Sequence, residues 1–78
     1  MKAYTLKKKK ETKELHMFEG EMTPAGCNST STSICEKMKK SESEKNVFTC
    51  YNEDEARKKC AEIGRNVCGV CVSHLYST

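Results

Sequence analysis

Cys68-Gly69-Val70-Cys71 is the one pair in this 78-residue chain, among six cysteines, whose spacing by itself carries chemistry. Two thiolates separated by two residues can turn onto one tetrahedral metal ion, with Zn–S distances of about 2.3 Å. Gly69 between them would permit a tight local turn. Closing such a site takes a second pair of ligands. Cys27 and Cys35 stand in a long polar segment that holds no other anchor, so the expected ligands are Cys27, Cys35, Cys68 and Cys71. Each would act as a thiolate around one structural zinc ion. The remaining two have simpler expected roles. Cys60 falls on the apolar stripe of an expected helix, where a thiol packs as a small hydrophobe. Cys50 closes an expected strand beside Phe48. Both are expected to be buried thiols, or near enough to pair. His16 reads as an ordinary strand residue and His74 as a surface or core residue.

Other cysteine chemistries compete with zinc. A redox dithiol places its CxxC at a helix N-terminus, where the dipole lowers a thiol pKa. Here Val72-Ser73-His74-Leu75-Tyr76 follows the second cysteine and reads as strand, so that activation is not expected. An iron–sulfur site would need four converging thiolates. A set of disulfides is the remaining alternative and would suit an oxidising compartment. The pattern is neither a C2H2 finger, which needs a second histidine close to the first, nor a treble clef with a cysteine in the first helical turn.

The elements that must position these residues follow from periodicity. Residues 3–8 and 14–19 alternate as short strands, with Lys8 to Lys13 as a charged hairpin tip. Residues 20–46 read as a long cysteine-bearing loop, punctuated by Gly20, Pro24 and Gly26 and rich in serine, threonine and lysine. Residues 47–78 read as strand, helix, strand. Asn52 is a fitting N-cap and Glu55 completes a capping box. Ala56, Cys60 and Ile63 form a narrow apolar stripe, and Gly64 is a fitting C-terminal stop. The β-branched residues of Val67 to Tyr76 suggest a final strand, parallel to its predecessor through a right-handed crossover. The expected fold is one α+β domain over residues 1–78: a sheet of about four strands, one helix and a zinc site.

Size and charge bound the function. A chain this short gains at most about 3–5 kcal/mol from a single core and commonly needs a staple. The net charge of +3 is mild for a dedicated nucleic-acid binder. Neither a signal-peptide pattern nor a transmembrane run is visible, so the expected location is cytoplasmic, with no membrane partner. No nucleophile–base set, buried carboxylate pair or phosphate-binding glycine loop stands out. The expected function is therefore a non-enzymatic zinc-binding module with no evident small-molecule substrate. Its expected partner is a macromolecule, protein ahead of nucleic acid. The alternatives are a small thiol-redox or disulfide-stabilised protein using Cys68 and Cys71, and a nucleic-acid-binding accessory protein using Lys7 to Lys10.

Overall fold

The computed structural model describes residues 2–36 and 38–76; Met1, Lys37 of the charged loop, Ser77 and Thr78 lie outside the described residues. The hairpin forms as its alternation requires: β1 (Lys2–Lys9) pairs antiparallel with β2 (Leu15–Thr23), with Leu6 opposite Met17 and Thr5 opposite Phe18. A short β3 (Gly26–Cys27) returns along the end of β2, and β4 (Ser43–Tyr51) lies on the other side of β1. The sheet order is β3-β2-β1-β4, and every strand pair is antiparallel.

Two helices follow β4. In α1 (Glu53–Ile63) the expected cap is present: the Asn52 side chain accepts from Glu55 N–H at 2.8 Å, and the Glu55 carboxylate accepts from Asn52 N–H at 3.2 Å. Gly64 ends the helix with φ of 78°, a conformation open to glycine. The next element differs from expectation. Residues 69–76 form a helix, α2 (Gly69–Tyr76), and not a strand, so the described residues hold no parallel crossover pair. Only an isolated parallel bridge, Leu15 to Val67, stands where that strand was expected. The physical reason is the spacing of Cys68, Cys71, Val72 and Leu75 at i, i+3, i+4 and i+7. That is a helical stripe, and burial of Cys68, Cys71 and Leu75 outweighs the β-propensity of the valines. Arg57 of α1 donates to the Leu75 carbonyl at 3.1 Å and ties the two helices together.

The core joins Tyr4, Leu6, Leu15, Met17 and Phe48 of the sheet to Ala56 and Cys60 of α1 and to Cys71 and Leu75 of α2. The opposite parity of β1 and β2 is buried as well, through Ala3, Thr5, His16 and Phe18. Strands covered on both faces explain why apolar residues occupy both parities of residues 15–18.

The segment expected to be a long loop is ordered around its own contacts. Thr32 and Lys39 form an antiparallel bridge, and Lys40 N–H donates to Ser31 O at 2.9 Å. Met38 within it is fully buried. A disulfide joins Cys27 to Cys50, the two edge strands of the sheet, with Cα atoms 5.6 Å apart. In a flat sheet three strand spacings, about 14 Å, would separate those edges. The β3 end must therefore curl across the sheet to meet β4. This corrects the expectation of Cys27 as a ligand; Cys50 is paired, but with Cys27 and not with Cys60.

Candidate metal centre

The outer edge of β2 positions the site. A β-strand directs the backbone groups of alternate residues to one side, and residues 15, 17 and 19 of β2 have no strand partner on that side among the described residues. Buried backbone groups nevertheless need partners. Leu15 O accepts from Cys68 N–H at 2.7 Å, Met17 O from Ile34 N–H at 2.8 Å, and Glu19 O from Thr30 N–H at 2.9 Å. Met17 N–H donates to the Cys71 sulfur at 3.3 Å. The same strand edge thus docks the loop that carries Cys35, Cys68 at the entry to α2, and Cys71 in its first turn. His16 lies between these docking points on β2 itself.

The result is a cluster of His16, Cys35, Cys68 and Cys71 whose ligand atoms all lie within 4.8 Å of one another. His16 Nδ1 is 3.2 Å from Cys35 Sγ and 3.9 Å from Cys71 Sγ. A tetrahedral zinc-sized ion would set N–S edges of about 3.6 Å, from Zn–N of about 2.0–2.1 Å and Zn–S of about 2.3 Å. The two observed separations bracket that length. His16, Cys68 and Cys71 are buried and Cys35 is half-buried. The donors are borderline to soft, three sulfurs and one imidazole nitrogen, the set that suits zinc and similar ions. Four His/Cys residues therefore stand close enough to hold a metal ion.

Two backbone N–H donors favour negative charge on the Cys71 sulfur. Cys71 faces Met17 N–H, and hydrogen bonding from the Cys35 backbone also favours its thiolate. Ser33 Oγ lies 3.3 Å from Cys35 Sγ, while the same oxygen accepts from Met38 N–H at 3.2 Å. That leaves the Ser33 hydroxyl proton free to point at the sulfur. Against these donors stand desolvation, the larger effect, and the neighbouring Cys35 side chain. Without a cation, burial pushes the Cys71 thiol up to about 12. A bound metal ion would reverse that balance, because a coordinating thiol is deprotonated outright.

Three of the four expected ligands, Cys35, Cys68 and Cys71, meet here. Cys27 does not, since its sulfur is bonded to Cys50. The residue in its place is His16, which by sequence pattern is a plain strand residue. A signal existed: residues 15–18 are apolar on both parities, so a histidine among them must be buried, and a buried imidazole needs partners. Cys60 is a buried free thiol on α1, as expected, and burial raises its pKa. Gly69 has no positive φ, and a Cβ there would meet nothing within 4 Å, so the turn between the cysteines does not require glycine. It is the first turn of α2, with Cys68 O accepting from Val72 N–H at 3.1 Å.

At the hairpin tip, Lys9 pairs with Glu42 at 3.5 Å, and Lys8 and Lys13 pair with Glu44 at 3.8 and 2.8 Å. No helix among the described residues is long and apolar enough to cross a membrane. Comparison with family profiles, with curated proteins and with solved structures returns no match.

Proposed function

We propose that this chain is a small non-enzymatic module built around a structural zinc site with His16, Cys35, Cys68 and Cys71 as ligands, and that it serves a macromolecular interaction. The observation that carries this reading is the convergence of three thiols and one imidazole within 4.8 Å, with a backbone N–H aimed at a buried sulfur. Four protein donors would close a tetrahedral shell, which is the mark of structural sites; catalytic zinc keeps a position open for water or substrate. A protein partner is favoured over nucleic acid. Three of the tip lysines already face Glu42 and Glu44, whereas α2 exposes Val70 and Tyr76. The site is compatible with either redox compartment; the Cys27–Cys50 disulfide would persist only in an oxidising one.

A second reading, a dithiol redox protein, gains one observation: Cys68 and Cys71 open a helix after all. Accessibility argues against it. Both sulfurs belong to buried residues, and the Cys71 thiol lies far above the range of an attacking thiolate. Metal analysis of untagged protein, with thiol titration before and after chelation, tests both. The zinc reading expects about one zinc per chain and thiols that react freely only after chelation. A metal-free chain whose Cys68 and Cys71 cycle reversibly against glutathione would replace it with the redox reading.

A further inference from the structure

His16 offers two ring nitrogens, and the geometry distinguishes them. Nε2 lies 2.8 Å from Glu14 Oε1, while Nδ1 faces the sulfurs of Cys35 and Cys71. An ionised carboxylate can only accept, so the nitrogen facing it carries the hydrogen. In a neutral imidazole the other nitrogen then presents a lone pair. We infer that Glu14 is a positioning residue of the metal centre, holding His16 in the Nε2–H tautomer so that Nδ1 is the ligand atom. This inference rests on the metal-site reading above.

Local structure supports the pairing. Residues two apart on a strand share a face, so Glu14, just before β2, stands beside His16. Its backbone is fixed on both sides: Glu14 O accepts from Lys9 N–H at 2.9 Å, and Glu14 N–H donates to Thr12 Oγ1 at 3.3 Å. Lys13 takes φ of 62° and sends its amine to Glu44 at 2.8 Å, away from the Glu14 carboxylate. The imidazole is 1% exposed and the Glu14 side chain 49% exposed. The carboxylate therefore closes the solvent side of a ring that is otherwise buried. A carboxylate behind a metal-bound histidine fixes the orientation of the ring and raises its basicity, and losing such a partner typically weakens metal binding by about 10–100-fold.

The test uses the full chain loaded with zinc. Long-range proton–nitrogen correlation spectra of His16 should show a protonated Nε2 and a metal-shifted Nδ1 in the wild type. Competition with a chelator should show Glu14→Ala binding zinc about 10–100-fold more weakly. Glu14→Gln, whose amide oxygen can still accept from Nε2–H, should stay within about threefold of the wild type. Zinc on Nε2, or Glu14→Ala binding as tightly as the wild type, overturns this inference and leaves the zinc site standing. A wild-type chain that takes up no zinc overturns both. The wild-type spectrum decides the tautomer even if a variant fails to fold.

Discussion

Gly20 is where a single methyl group should undo the proposed metal centre from a distance. It lies on β2, and an ideal Cβ there would stand 1.8 Å from the carbonyl oxygen of Asn28, 2.6 Å from its carbonyl carbon and 2.7 Å from the Ser29 Cα. All three are backbone atoms, so no side chain can swing aside. Carbon–oxygen contact near 3.4 Å would require the crossing segment to retreat by about 1.6 Å. The hydrogen bonds flanking Gly20 cannot survive that shift: Asn28 N–H to Glu21 O at 3.0 Å, Thr30 N–H to Glu19 O at 2.9 Å, and Glu21 N–H to Asn28 Oδ1 at 3.0 Å. At about 1 kcal/mol net each, less about 0.4–1 kcal/mol from the stiffer unfolded chain, Gly20→Ala should cost about 2 kcal/mol. For a domain of this size that lowers Tm by roughly 8–16 °C. The same segment carries Ser33, Ile34 and Cys35 to β2, and metal distances tolerate errors of only about 0.2 Å. Zinc affinity should therefore fall at least tenfold in chelator competition, alongside the loss in thermal unfolding. Gly69→Ala is the matched control. It meets no atom within 4 Å and lies between two ligands, yet should leave affinity unchanged and stability equal or slightly higher. Wild-type stability and zinc affinity in Gly20→Ala would refute the claim that close backbone crossing at this position places Cys35.

Replacing Cys27 and Cys50 together by serine removes a cross-link closing 23 residues, which on chain-entropy grounds contributes about 3 kcal/mol; unfolding in denaturant should register that loss while zinc stoichiometry stays at one, and a loss of zinc would show that the disulfide supports the site. In metal-free protein the raised thiols of Cys71 and Cys60 mean that the folded state keeps their protons longer than the unfolded state does. Their contribution is complete below the ordinary thiol value of 9.0 and is lost as pH climbs from there towards about 12. Metal-free stability should therefore be flat from pH 7 to 8 and fall above about pH 9, and a rise over that upper range would contradict the burial of these thiols.

The hairpin and α1 were legible because their signals are local. Alternation at residues 3–8 and 14–19 reports two strands, and the Asn52–Glu55 capping box and Gly64 bracket α1 within one stretch of chain. Cysteine count and the CxxC spacing point to a metal site with Cys27, Cys35, Cys68 and Cys71 as ligands, and only the last three of these meet. What the sequence alone established was therefore a small α+β domain with cysteines suited to metal. Tertiary structure decided which cysteines meet. Curling of the sheet edge brings Cys27 to Cys50 and keeps it out of the His16–Cys35–Cys68–Cys71 cluster. The unpaired edge of β2 recruits the Cys35 loop and α2 by their backbone hydrogen bonds and leaves His16 among their sulfurs. Burial of Cys68, Cys71 and Leu75 turns a β-branched segment into a helix. None of these follows from local propensity, because each depends on partners that lie 11 to 55 residues apart and meet only once the sheet has formed.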